Sequence, residues 1–541
     1  MASVPSWQSS SCSDVTMILS RAQRVWQGFA PWAVMCACWA PMLALVPAAI
    51  TSSPGFGYSG AASAQVLSRS LVVAIGSTAL ATAIGVPVAL VMACTDVPAR
   101  GVLRSLAIAP LLVPPYIATI GWLHLLGPRG SWGTFLGRLL NAEPFMGFLS
   151  PFGAIWVLGL WGYPLIALMA QAGLASLDAD LIDHAILDGG AKAVLRGVIG
   201  PALVPAVAAA ALVLVLLVLG DYGVCSFLGV PVYTAQVMLR FGAFYDVGGG
   251  MRALLPLAIL SAVGLLLFLR LTGRQGATPL HFTAGIRRPF SLGGCRWPAF
   301  ILLLFPALLA TAVPLLALSF RAPAVADFLA AWSSARRQIA NTALYGPLGA
   351  ILGCLLAWPV ARLMSRARPA AAGVMQALNV ALLVVPGVAV GMGLIRLFNR
   401  GGWAGWVYGS PLMVLFCMAL RALPLAALAL SSGWRRLPRE IEEAAQVAGA
   451  SERDLSGHIR LPLLRSAMGS ACALACFRAM TELEATVLVH APGDDTLAVR
   501  LYTLQHDGLA EHVAALALSL IALAVLGSLG AWALARGRGA T

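Results

Sequence analysis

Charge is scarce in this chain. Of its 541 residues only 10% are Asp, Glu, Lys or Arg, where a soluble domain carries about a quarter. Lysine is the rarest of the four, with Lys192 standing alone. A phosphate-binding loop needs Gly-x-x-x-x-Gly-Lys-Ser/Thr, the lysine reaching the phosphates and the hydroxyl holding magnesium. Lys192 sits in Gly189-Gly-Ala-Lys-Ala, with Ala193 in the hydroxyl's place, so ATP is expected to bind elsewhere and no cofactor is expected in this chain. The seven histidines are dispersed, and no His, Cys and carboxylate groups converge as a membrane enzyme would require. Ten cysteines are scattered, most of them in apolar runs, and none has zinc-site spacing. Cys472-x-x-x-Cys476 reads as helix packing, and neither a metal site nor a catalytic residue is assigned. A selectivity-filter or charged-ring sequence is also missing, which argues against a channel. The first 28 residues are polar and Ser-rich, and the long apolar run after them has no small-residue cleavage site, so no cleavable signal peptide is expected.

What is abundant is apolar sequence. Hydrophobic residues make up 60% and the mean hydropathy is +0.87. Runs long enough to span a bilayer recur along the whole chain, and predict twelve helices near 30–50, 71–93, 103–126, 151–174, 201–220, 251–271, 298–319, 341–363, 372–397, 407–431, 462–482 and 511–535. The fold class is therefore all-α, a polytopic membrane protein. The net charge of +14 follows the positive-inside rule better than it suits nucleic acid, for which no role is expected. Arg287-Arg288, Arg362/Arg366/Arg368 and Arg435-Arg436/Arg439 fall on one side, which places both termini in the cytoplasm. Arg421 and Arg478 lie within spans.

The first half of the chain returns in the second. Pro87-Val88-Ala89 recurs as Pro359-Val360-Ala361, and Val113-Pro114 with Gly121 recurs as Val385-Pro386 with Gly393, each 272 residues on. Pro164-Leu165 recurs as Pro424-Leu425, and Asp183 and Gly189 as Glu443 and Gly449, each 260 on. Pro201 and Asp221 return as Pro462 and Glu482, 261 on. Equivalent helices lie six apart, so the two copies run parallel, as transporter repeats often do. The expected division is a cytoplasmic tail (1–28), a six-helix repeat (29–271), a cytoplasmic linker (272–297) and a second six-helix repeat (298–541).

Two polar loops stand out, each between spans four and five of its half. The second, Glu440 to Pro462, reads as a short helix ending at Gly449, with Leu461-Pro462 opening the next helix. Its marked residues are Glu443, Ala444, Ala445, Gly449 and Pro462. The first repeats Asp183, Ala185 and Gly189 but has Asp for Glu, His184 for the first alanine, and one residue fewer before Pro201. Glu443 suits pairing with a basic partner or stabilising its own helix N-terminus. A second cluster, Arg478, Glu482 and Glu484, ends span eleven. Ionisable groups at membrane depth usually face the bundle interior and mark a pathway, although Arg478 and Glu482, four apart, also suit an ion pair. Asp221 takes the equivalent place in the first half, in Gly220-Asp221-Tyr222-Gly223, with Leu217 and Val218 one turn back.

The Glu443-Ala444-Ala445 to Gly449 loop resembles the EAA loop of bacterial ABC importer permeases. The whole chain apart from tail and linker resembles their fused two-repeat type, a type I importer permease. Thr481-Glu482-Leu483-Glu484-Ala485-Thr486, Asp495 to Tyr502 and Gly220 to Gly223 look most like the ferric-iron permeases, with Glu484 where that family leads one to expect proline. Thiamine permeases, sharing a similar Gly-Asp-aromatic-Gly segment, are the nearest rival. The resemblance implies a multi-pass inner-membrane subunit surrounded by lipid. A periplasmic solute-binding protein would deliver cargo to it, and two copies of a cytoplasmic ABC ATPase, carrying ATP and magnesium, would sit beneath. Asp183, Ala185, Gly189, Glu443, Ala444, Ala445, Gly449 and Pro462 would serve coupling. Asp221, Tyr222, Arg478, Glu482 and Glu484 would line a pathway or gate. A secondary active transporter is the alternative from another class, but it has no use for two matched polar loops.

Overall fold

The computed structural model describes residues 28–47, 60–140, 146–175, 177, 179–242, 247–273, 290–506 and 510–536. The expected tail, except Gly28, and most of the expected linker lie outside them. The described chain is helical, and its one β-bridge joins Thr95 to Phe290. Among the described residues, nine helices are long and apolar enough to cross a membrane, and two further pairs qualify as bent spans.

The first half begins with α1 (Gly28–Pro47) and α2 (Gly60–Cys94), then the bent pair α3 (Arg100–Ile108) and α4 (Pro115–Leu126). Next come α5 (Pro151–Ala175), the loop helix α6 (Ala179–Ala193), α7 (Gly200–Leu219), the short α8 (Gly223–Phe227), α9 (Tyr233–Gly242) and α10 (Val247–Gly273). The second half runs in the same order: α11 (Arg296–Arg321), α12 (Arg336–Arg366), the bent pair α13 (Pro369–Val384) and α14 (Gly387–Phe398), and α15 (Pro411–Arg436). It continues with the loop helix α16 (Arg439–Val447), α17 (Leu461–Met480), the short α18 (Thr486–Val489), α19 (Leu497–His506) and α20 (Ala510–Arg536). A helix lies at each of the twelve expected places. α17, at the eleventh, carries Arg465 and Arg478 and is not one of the nine.

The third and ninth spans, expected as single helices, are the bent pairs, turning by 90° and 98°. A Val-Pro step stands at both bends. Proline disfavours helical geometry in the residue before it, and Val113 (ψ 112) and Val385 (ψ 127) are indeed non-helical. Pro114 (ψ 134) and Pro386 (ψ 136) then cap the helices that restart. A restarted helix leaves first-turn backbone N–H groups without intrahelical partners.

The leading helices are exchanged. α11 buries Leu303 and Ala310 in the core of the first half, and α1 buries Met35 and Cys38 in that of the second. The crossings are matched: Gly121 of α4 meets the backbone of Pro314, and Gly393 of α14 meets that of Pro41, with no room for a side chain at either. Two glycines 272 residues apart thus hold the two halves together.

Candidate translocation and coupling sites

Residues 481–485 turn the chain back into the bundle after α17. The Thr481 hydroxyl donates to the Phe477 carbonyl (2.8 Å), ending the helix, and Glu482 points inward, fully buried. A buried carboxylate is tolerated only with partners, and Glu482 has three. Arg478, one turn back, is in direct contact, Arg421 Nε lies 3.3 Å from Oε2, and the Ala485 N–H donates to Oε1 at 3.0 Å. Arg421 is itself anchored, donating to the Val385 carbonyl at 2.7 Å. The ion pair foreseen between Arg478 and Glu482 is present. Arg421, placed in a span but given no partner from sequence, is its third member. A lone arginine at membrane depth was the available signal.

Glu484 joins the halves. Its Oε1 accepts from the Tyr222 N–H (3.2 Å) in the first half, and its Oε2 from the Gly387 N–H (3.1 Å) in the second, with Arg421 at 3.4 Å. Gly387 has to be glycine, because a Cβ there would overlap the Glu484 side chain. The carboxylate thus occupies the corner made by the restarted helix α14 and the Tyr222 turn, where exposed N–H groups favour an anion.

Asp221 is half-buried and bonded locally. Its Oδ1 accepts from the Val224 N–H (3.0 Å) and its carbonyl from the Thr234 hydroxyl (2.8 Å). No basic group pairs with it among the described residues, and the charge acting on it is Glu484. Glu482 is enclosed by arginines, and Asp221 neighbours Glu484. The Tyr222 hydroxyl contacts that of Tyr502, a second junction between the halves.

At the other end lie the two loops. In the second, Glu443 and Ala444 are exposed and Ala445 half-buried. The next turn of α16 leaves Val447 90% exposed, an apolar residue facing away from the protein. Gly449 takes φ 88°, the left-handed region that favours glycine. Ser451 and Asp454 then cap each other reciprocally, which holds the Asp454 carboxyl below the usual carboxylate range. A π-helical turn, Leu455–Arg460, leads into Leu461 and Pro462. The buried Arg460 ties the loop together, bonding Glu442 at 2.9 Å and Glu452 at 2.7 Å. Glu442 is thus the inward acid, and Glu443 is left on the surface.

The first loop differs where its sequence departs. Gly189 is extended (φ −167°), a conformation open to any residue, and Gly190 takes the left-handed turn (φ 63°). The turning glycine is one position later than the register predicts, so the π-helical turn begins four residues after it here against six in the second loop. Thereafter the match is restored: a π-helical turn, Val194–Ile199, again precedes Gly200 and Pro201. Buried Ile199 stands where the second loop has Arg460, so that buried arginine link has no counterpart. Asp183 and Ala185 are half-buried, and Leu187 is 83% exposed.

Residues 349–537 match the family described as binding-protein-dependent transport system inner membrane component. The chain is 24% identical over 422 residues to the Fe(3+)-transport system permease protein FbpB 2 of Haemophilus influenzae, covering 75% of this chain and 77% of that one. It is 34% identical over 142 residues to a putative 2-aminoethylphosphonate transport system permease protein, PhnV, of Salmonella paratyphi A, covering 26% of this chain and 53% of that one. A ferric transport system permease protein, FbpB, of Actinobacillus pleuropneumoniae is 26% identical over 196 residues, covering 36% of this chain and 27% of that one. Residues 349–537 are thus similar to the inner membrane component of binding-protein-dependent transport systems, and a longer stretch, three-quarters of the chain, to a permease of that kind; the described residues are all-helical and include nine helices long and apolar enough to cross a membrane.

Proposed function

We propose that this permease passes ferric iron from a periplasmic binding protein to the cytoplasm, driven by two copies of a separate ATPase seated on the α6 and α16 loops. The observation that carries the iron reading is the span of the likeness. The Fe(3+) permease aligns over three-quarters of both chains, whereas the phosphonate permease covers about a quarter of this one. The two-ATPase reading rests on the paired loops, each with a left-handed glycine, a π-helical turn and exposed apolar residues suited to a groove. The chain works as two six-helix repeats, 29–271 and 298–541, joined by a linker at 272–297. Both termini are cytoplasmic, and with Lys192 as its one lysine the chain leaves nucleotide to its partner. Asp221, Tyr222, Arg478, Glu482 and Glu484 form the gate. Asp221 is the carboxylate that meets the cation, and the arginine-held Glu482 keeps the frame.

The test is uptake by vesicles containing the permease, the ATPase and the binding protein, with labelled ferric iron, thiamine and 2-aminoethylphosphonate offered in turn. ATP-dependent entry of iron alone is the expected result. Entry of phosphonate and not iron would transfer the assignment to the second relative's cargo, and uptake without ATP would refute the coupling reading.

A further inference from the structure

We infer that the seam between the two halves, at the end carrying the α6 and α16 loops, binds one anionic phospholipid. A cavity of about 120 Å³ lies there, with walls from both halves: Val213 and Phe268 from the first, Val380 and Leu428 from the second. Its polar members gather toward one end. Arg435 is the penultimate residue of α15, with Ser431 one turn above it and Gln376 in the first half of α13. Leu428 lies seven residues back along α15, about 10 Å deeper, and Val213 thirteen residues into α7, about 20 Å from its start. The cavity therefore grades from a guanidinium at the membrane surface to an apolar slot at mid-depth.

That gradient is the shape of a lipid with one acyl chain inserted. Arg435 has no carboxylate partner among the described residues, and its environment is otherwise desolvating. A guanidinium so placed gains most from a phosphate, which accepts two of its N–H groups at once. The Ser431 hydroxyl already donates to the Leu428 carbonyl, so it adds an acceptor rather than a phosphate ligand. The Gln376 amide can donate. The walls offer a metal cation no carboxylate, and Arg435 repels it, so the cavity lies off an ion's route and the inference holds whichever cargo the chain carries. The site is single, because the repeat counterpart of Arg435 is Ala175. A lipid bridging Val213 and Val380 spans the joint along which the halves must move. It would favour the arrangement seen here.

The assembled transporter, permease with its ATPase, would be reconstituted into phosphatidylcholine with and without phosphatidylglycerol, then re-purified and weighed by mass spectrometry for retained lipid. Wild type should retain one phosphatidylglycerol, and Arg435→Gln about tenfold less, the loss of one charge-assisted contact. Arg436→Gln, which removes a charge outside the cavity, should retain it fully. Ala210→Leu fills the slot while leaving Arg435 intact, and should also lose the lipid. Equal retention by wild type, Arg435→Gln and Ala210→Leu would overturn the site. Loss in Arg435→Gln with full retention in Ala210→Leu, or displacement by inorganic phosphate alone, would show a headgroup site without an acyl slot and refute the phospholipid.

Discussion

Replacing Arg421 with methionine tests the buried charge cluster most directly. The change removes a guanidinium 3.3 Å from Glu482 and 3.4 Å from Glu484, together with its 2.7 Å bond to the Val385 carbonyl. Glu482 has no exposed surface through which water can compensate. Breaking a buried ion pair from one side typically costs about 3–5 kcal/mol. Arg478 and the Ala485 N–H remain to hold Glu482, so the lower end, about 3 kcal/mol, is the expectation. The same change at Arg478 should cost less, because that side chain is 24% exposed and leaves the better-anchored Arg421 in place. Glu482→Gln alone leaves two guanidiniums facing each other and should be as harmful as Arg421→Met.

The double variant Arg421→Met/Glu482→Met separates charge from packing. Replacing both partners by apolar groups of similar length removes one charge of each sign and leaves Arg478 and Glu484 as the remaining opposite charges, so no net charge is left uncompensated in the cluster. The double variant should therefore be more stable than either single one, giving a coupling energy of about 2 kcal/mol or more in a double-mutant cycle. The assay is the temperature dependence of monodisperse transporter complex in detergent, read alongside expression yield. Additive losses, or a cost below about 1 kcal/mol for Arg421→Met, the scale of an exposed pair, would refute the buried-network account.

Four further outcomes follow from the same geometry. Asp221→Asn keeps the oxygen that accepts from Val224 and should preserve yield while lowering iron uptake several-fold; normal uptake would remove Asp221 from the pathway. Gly449→Ala forces a side chain into the left-handed region, costing about 1–2 kcal/mol, and should weaken ATPase co-purification, as should Gly190→Ala in the first loop; an unchanged complex would show that the turns do not present the docking helix. Arg460→Ala releases Glu442 and Glu452 together and should uncouple ATP hydrolysis from uptake more than Ile199→Ala does, and equal effects would contradict the asymmetry of the loops. The isolated permease should show no ATP hydrolysis, and a rate matching the assembled complex would overturn the assignment of nucleotide to the partner.

Much of this was legible because membrane helices announce themselves by composition. A run of apolar residues has only one way to satisfy its backbone in lipid, and each of the twelve predicted places holds a helix. The bends at Val113-Pro114 and Val385-Pro386 were visible as repeated motifs but not as right-angle turns. Proline inside α2 at Pro87 and inside α15 at Pro424 leaves those helices continuous, so proline alone does not decide. The turning glycine of the first loop was misplaced by one residue, because register assigns positions and only the backbone shows which of Gly189 and Gly190 is left-handed. Arg421 and Arg460 were missed as partners for a different reason. Each meets acids distant in sequence or across a turn, and pairing of that kind is a property of packing rather than of spacing.

The two halves repeat in order and in their turns but not in their charges. The sequence counterparts of Arg421, Arg478 and Glu484 are Trp161, Leu217 and Gly223, and that of Arg460 is Ile199. The first half therefore contributes mainly backbone to the centre, the Tyr222 N–H among it, together with the single carboxylate of Asp221. The second half contributes both arginines, the buried Glu482 and the half-buried Glu484. Two identical subunits would have to place every charge twice about the axis, with like charges facing each other across the seam. One chain carrying both halves escapes that constraint, so a single Glu484 can reach across to the other half and rest on its backbone. On this account the asymmetry at the centre and the asymmetry of the coupling loops share an origin. Each feature that departs from the repeat, from Glu484 to Arg435, is one that two identical subunits could not keep.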